Sequence, residues 1–210
     1  MNEVRRTYLA LSATVSEMVG RRDVGERWSD PSALAGLTTG ALAAHLANAI
    51  LQVDLHLDMP EPEGEMVTAA DYYAAMDDSA RPGSELNVGV RARAEEIAGR
   101  GWARIYIDTG RACDRLGERL ENVPASRRLS AQGVVIAIDE FLMTRVVEMT
   151  VHVDDLARSL DIEAPPLPPD ATTIALAVLV GAARARHGDR AVLRALTRRE
   201  LQGPEVFQVL

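Results

Sequence analysis

Glu148 and His152 lie four residues apart in the run Glu148-Met149-Thr150-Val151-His152. On a helix that spacing puts both side chains on one face, one turn apart, where a carboxylate and an imidazole can grip a single ion. His45, in an earlier and strongly helical segment, can supply a third ligand if the two helices face each other. Three protein ligands leave a coordination position open. A catalytic Zn2+ or similar ion needs that opening and a structural one lacks it, because water or a substrate atom must be able to enter. Arg145 stands one turn before Glu148 on the same flank. It can clamp the carboxylate of an acidic substrate or hold Glu148 in place.

Glu and His at this spacing also occur by chance, as a helix-surface contact worth a small fraction of a kcal/mol. The neighbourhood argues for more, since an unpaired carboxylate beside an apolar stripe costs several kcal/mol unless a cation neutralises it. Arg145 is itself such a cation, so the run alone does not require a metal.

The segments that must position these residues are helical. Val4, Tyr8, Leu11, Val15 and Met18 recur every three or four residues and predict a helix over 2–19, ended by Gly20 and the charged Arg21-Arg22-Asp23. Thr38 or Thr39 can cap a second helix over 39–58, which carries His45 and an apolar side of Leu42, Leu46, Ala49, Ile50, Val53 and Leu57. The prolines and glycine between Met59 and Val67 predict an irregular excursion, and Thr68-Ala69-Ala70-Asp71 the start of a short helix. Ser84 can cap a long helix over 85–120, weakened at Gly99 and Gly101, where a kink or a close contact is expected. After Gly133 the clearest helix spans 134–160: Val135, Ile138, Leu142, Met149, Val153, Leu156 and Leu160 share a face, with Arg145, Glu148 and His152 clustered on its flank and Phe141 beside them.

Four amphipathic helices joined by modest loops predict an all-α fold, a four-helix bundle over 1–162 in which facing helices build the site. Ala164 to Asp170, with four prolines, marks a linker over 163–170. Residues 171–210 then read as a short, mainly helical C-terminal extension, with helices over 172–187 and 190–198 and Val206 to Leu210 as a terminal strand or a disordered end.

Composition limits the function classes. The 210 residues are 47% hydrophobic but only 4% aromatic, the make-up of one sizeable helical domain filled by aliphatic side chains. A formal charge of −8 argues against a nucleic-acid partner, which calls for a basic stripe. The single Cys113 cannot form an intrachain disulfide, the N-terminal run lacks a signal-type apolar core, and no apolar run approaches the roughly 18 residues of a membrane span. A cytoplasmic protein without membrane contact is expected. Cys113 reads as a packed small side chain. His56 follows His45 by eleven residues, about 16 Å along the helix axis, too far to share its ion. His187 suits a helix C-terminus. Asp155 can orient a ligand imidazole or stand in a salt bridge, and Trp28, Trp102 and Tyr106 can pack in the core or wall a pocket.

The run Phe141-Leu142-Met143-Thr144-Arg145-Val146-Val147-Glu148-Met149-Thr150-Val151-His152-Val153-Asp154-Asp155-Leu156-Ala157 resembles the signature helix of the mycothiol-dependent maleylpyruvate isomerase family, within the DinB-like metalloenzyme superfamily. Trp28-Ser29, followed by Leu37-Thr38-Thr39-Gly40-Ala41-Leu42-Ala43-Ala44-His45-Leu46-Ala47, is similar to the family's helix bearing its first metal histidine. The resemblance covers most of residues 1 to 162. It implies a DinB-like bundle in which His45, Glu148 and His152 hold a divalent ion, usually zinc, and in which mycothiol, a low-molecular-weight thiol of actinobacteria, is activated by that ion. In the isomerase a C-terminal α/β domain contributes to the active site, whereas residues 170 to 210 here carry little strand signal.

The expected protein is therefore a metal-dependent and mycothiol-dependent enzyme, a thiol S-transferase or a cis–trans isomerase, acting on a small electrophile. Two alternatives stand beside it. One is a lyase or hydrolase that uses a metal-activated water without thiol; the other is a non-catalytic bundle that binds a small molecule. Apolar helix faces also permit a homodimer.

Overall fold

The computed structural model describes residues 1–76 and 85–198. The Ser84 cap and the Val206–Leu210 end lie outside the described residues. Side-chain caps start two of the bundle helices. Asn2 Oδ1 accepts from the Arg5 N–H (3.0 Å) and opens α1 (Glu3–Val19), and Thr38 Oγ1 accepts from the Ala41 N–H (3.0 Å) and opens α3 (Thr39–Asp58). Between them lies a single-turn helix α2 (Arg22–Glu26), which begins within the charged run just past Gly20.

The helix expected over 85–120 is two helices, α5 (Glu85–Ala98) and α6 (Trp102–Asn122). The cause is Gly101. Its φ of +84° and ψ of 151° are open to glycine alone, so the chain leaves one helix and enters the next in a new direction.

The helix expected from 134 begins at Ile138 as α7 (Ile138–Leu160). Residues Arg128–Ala131 and Val134–Ala137 form an antiparallel hairpin, β2 and β3, around Gln132-Gly133, both with positive φ. A two-residue turn of that kind matches the twist of a hairpin, and the β-branched Val134-Val135-Ile136 favours strand over helix. The excursion after α3 adds a two-residue strand β1 (Met66–Val67), parallel to β3. The remaining elements are α4 (Ala69–Ala74), α8 (Pro169–His187) and α9 (Asp189–Thr197).

Helices α1, α3, α6 and α7 make the bundle; α6 and α7 each pack against α1 and α3, which also meet each other. Tyr8, Leu11 and Val15 of α1, Leu42 and Ile50 of α3, Ile105 and Leu116 of α6, and Phe141, Leu142 and Val146 of α7 are fully buried along its axis. Burying each such side chain contributes about 1.5–3 kcal/mol. Buried charges tie the ends: Arg5 pairs with Asp139 of α7 and donates to the Leu120 and Val123 carbonyls at the end of α6, while Arg115 and Arg119 of α6 grip Asp54 of α3. The fold is thus all-α in its main body, with the small sheet as a clasp at the entry to α7. Beyond the Pro-rich stretch, α8 lies against α7 and α4, and α9 folds back on α8. Among the described residues no helix is long and apolar enough to cross a membrane.

Space is open around a Cβ built on Gly101, so only backbone strain opposes a side chain there. Gly101→Ala is expected to lower unfolding free energy by about 1–3 kcal/mol in urea titration, with helical content retained.

Candidate metal centre

Helices α3 and α7 pack face to face, and that packing brings His45 to Glu148 and His152. One donor atom from each lies within 4.8 Å of the others. His45 Nε2 is 3.2 Å and His152 Nε2 3.6 Å from the same oxygen, Glu148 Oε2. The two imidazoles meet edge to face, 4.9 Å between centroids and 80° between planes. All three side chains are largely shielded, with 20%, 15% and 15% of their surface still exposed, so the cluster is not sealed from solvent.

The partners behind these residues fix their geometry. His152 Nδ1 lies 2.9 Å from Asp155 Oδ2, one turn on, so Nδ1 is the donor and Nε2 is aimed at the cluster. Asp155 thereby takes the orienting role among the two open to it in sequence, and a salt bridge to Arg158 at 3.7 Å accompanies it. Glu148 Oε1 is turned the other way, 2.7 Å from the Tyr73 hydroxyl of α4, which also lies 3.0 Å from the Thr144 carbonyl. Burial, with the charge of Glu148 added, pushes the Tyr73 pKa far up, so the phenol stays neutral and serves as a donor.

Burial by itself would make the Glu148 carboxyl a weaker acid. Hydrogen bonds from His152 and His45 and the nearby charge of Arg145 outweigh it and hold Glu148 well below the ordinary carboxylate range. Burial likewise works against a charged His152, but the hydrogen bonds to Asp155 and Glu148 prevail and raise its pKa to about 9. Without a metal, then, Glu148 is an anion facing an imidazolium. A divalent cation can replace that proton, and its uptake must release it.

Arg145 is 7% exposed. Its guanidinium carbon lies 4.9 Å from the centre of the Phe141 ring and 6.0 Å from that of Tyr72, and Nε donates to Thr144 Oγ1 at 3.1 Å. Among the described residues no carboxylate forms an ion pair with it, and Glu148 acts on it through space. Arg145 is thus a buried cation held in aromatic surroundings, with Tyr72, Glu148 and Tyr73 as its electrostatic neighbours.

Other sequence candidates lie elsewhere. His56 stacks on Phe141, 5.4 Å between ring centres, and burial with Arg145 nearby lowers its pKa. His187 ends α8 on the surface. Trp28, Trp102 and Tyr106 lie over Gly40, Gly25 and Gly20, filling the space a Cβ would take, and Trp102 Nε1 donates to the Val19 carbonyl at 2.8 Å. The Cys113 thiol is half-buried, and burial raises its pKa to about 11, so it is no ready nucleophile. Tyr72 and Tyr73 escape the sequence reading. The available signal was composition: two of only four tyrosines sit side by side just behind a Thr68–Asp71 capping box.

A helical bundle with a two-histidine, one-carboxylate cluster across facing helices defines the class. Residues 9–157 match the mycothiol maleylpyruvate isomerase N-terminal domain family, and the chain belongs to that family. The match contains α3, α4 and α7 as far as Ala157, hence every residue of the cluster, and leaves α8 and α9 outside it. No curated protein and no solved structure matched the chain.

The raised His152 pKa makes a pH prediction for chelator-treated protein. A group whose folded pKa exceeds its unfolded value stabilises below the latter and loses that stabilisation as pH rises through the former. Unfolding free energy is therefore expected to fall as pH climbs from 6.5 through about 9, and Asp155→Asn, which removes the larger raising interaction, should flatten that fall. Urea titrations of both proteins across the range check it.

Proposed function

We propose that the protein is a divalent-metal enzyme that uses mycothiol on a small electrophile, of the thiol S-transferase or cis–trans isomerase type, in the cytoplasm. The observation that carries the reading is the convergence of His45, Glu148 and His152 donor atoms within 4.8 Å of one another in a chain of this family.

The donor set fits a zinc-like ion. Two imidazole nitrogens and one carboxylate oxygen are ordinary zinc ligands, three is the number found at catalytic sites, and the buried Glu148 anion calls for a cation. An ion held there would supply Lewis acidity and would lower the pKa of a thiol beside it, so that thiolate would be available at neutral pH. The chain's own residues do the rest. His45 from α3 and His152 from α7 present their Nε2 atoms, and Asp155 fixes the His152 ring in the tautomer that leaves Nε2 free to ligate. Tyr73 occupies Oε1 of Glu148 and so directs Oε2 to the histidines. Arg145 orients an anionic group of the electrophile close to the cluster, which supports substrates bearing a carboxylate. The thiol sulfur can then add to the electrophilic carbon. As the carbon–sulfur bond forms on a conjugated double bond, the π pair moves onto the substrate's carbonyl as an enolate; an S-transferase keeps the bond once the enolate carbon takes a proton, and an isomerase lets the former double bond rotate before the enolate expels the thiolate again.

Elemental analysis is expected to find about one zinc-like ion per chain and a large loss in His152→Ala, as ligand removal from a three-residue site requires. Equal metal in both would contradict the site. On the Co2+-loaded protein, mycothiol should produce a sulfur-to-cobalt charge-transfer band that His45→Ala lacks. With metal bound but no band at any thiol concentration, the thiol reading gives way to water chemistry. Arg145→Gln should raise KM for an anionic substrate about tenfold or more while metal content stays unchanged.

A further inference from the structure

Helix α4 has six residues, far too few to hold itself together in water. Yet it carries Tyr73, whose hydroxyl meets Glu148, and Tyr72, whose ring lies beneath Arg145. Two charged side chains hold its ends. At the start, Glu140 of α7 accepts from the Ala69 N–H at 2.7 Å, beside the Thr68–Asp71 capping box. At the finish, Arg186 of α8 spans the last turn: it donates to the carbonyls of Tyr73, of Ala74 at 3.3 Å and of Met76 at 2.8 Å. Tyr73 and Ala74 close the helix and Met76 lies just past it; the Tyr73 carbonyl also accepts from the Met76 N–H at 3.1 Å, and a guanidinium can serve several such chain-end carbonyls at once. The helices also meet at close range along their length. A Cβ built on Gly181 of α8 would stand 2.9 Å from the Ala70 Cβ of α4, so the approach depends on glycine there.

We propose that α8, which lies outside the family-matched residues, is a working part of the site, and that Arg186 is a positioning residue that holds Tyr73 on Glu148 by capping α4. The route is short. Arg186 fixes the backbone of residues 73–76, the Tyr73 side chain leaves that backbone, and its hydroxyl ends 2.7 Å from Glu148 Oε1. With Oε1 so occupied, Oε2 is left for the two histidines. Loosening the cap lets the carboxylate rotate away from the geometry that three ligands must share. Residues that orient metal ligands from behind typically contribute about 10- to 100-fold to metal affinity, and an indirect one sits at the lower end.

The inference rests on reading Glu148 as a metal ligand, so the experiment has an arm that needs no metal. Co2+ dissociation constants, measured by chelator competition, are compared for wild type, Arg186→Ala, Tyr73→Phe and the double variant, with circular dichroism as a check on folding. Each single variant is expected to bind about tenfold more weakly, and the double variant no more weakly than the weaker single one, because both changes break one route. Arg186→Lys should recover part of the loss. An unchanged constant in Arg186→Ala, or effects that multiply in the double variant, would overturn the proposal. If Arg186→Ala does not fold, Arg186→Met keeps the aliphatic stem and carries the same expectations. In metal-free protein, Arg186→Ala should speed amide exchange in α4 at least about tenfold while α1 and α6 stay protected. Unchanged exchange in α4 overturns the proposal even if wild type binds no metal, whereas faster exchange together with absent metal binding in wild type sinks only the ligation reading.

Discussion

A buried carboxylate has to be neutralised, and around Glu148 the whole arrangement answers to that one demand. An anion in an aliphatic bundle would cost several kcal/mol if left alone, so it must be hydrogen-bonded on both oxygens and faced by positive charge. Oε1 is met by Tyr73, Oε2 by His45 and His152, and Arg145 supplies charge at one turn's remove. These groups come from three stretches of chain, Tyr73 from α4, His45 from α3 and His152 with Arg145 from α7, so the α3–α7 packing, the docking of α4 and the α7 flank all have to be correct together. The same convergence makes the spot attractive to a divalent ion, which satisfies the carboxylate and both imidazoles at once and displaces a proton from His152 in doing so.

The molecule divides the work between rigid and assembled parts. Two of the three candidate ligands share α7, and the third rides on α3, helices with fully buried apolar faces. Their relative position is set by core packing, which yields little. The wall of the site is different. The six-residue α4 is set in place by contacts from α7 and α8 instead of by a core of its own. A site built this way has ligand positions that are hard to move and a wall that sequence change in the C-terminal segment can adjust. Arg145 stands between the two parts, stacked on Phe141 of α7 and near Tyr72 of α4.

Much of this was legible in the sequence because it rests on helical periodicity. The spacing of Glu148 and His152 and the placement of His45 on an apolar helix identify three residues that the structure brings together, and the family motifs lead to the same three. What escaped depends on local backbone or on distance. A glycine between two helical patterns does not announce whether it kinks or breaks, and at Gly101 only the positive φ decides. Val134 to Ala137 continues the apolar pattern of α7, so periodicity alone assigns it to the helix, while the pairing of Val135 with Ser130 and Met66 makes it a strand. Tyr73 and Arg186 lie in segments whose spacing gives no hint of a site, since the contacts that matter run from residue 73 to 148 and from 186 back to 73.

The central claim is that one divalent ion sits between α3 and α7, bound by two imidazoles and one carboxylate with a position left for a thiol. X-ray absorption at the zinc edge of the zinc-loaded protein tests it most directly. The account predicts a light-atom shell at about 2.0–2.1 Å with the multiple scattering of two imidazoles, joined on adding mycothiol by one sulfur at about 2.3 Å. A spectrum without imidazole scattering, or one left the same by substitution of both His45 and His152, would contradict it.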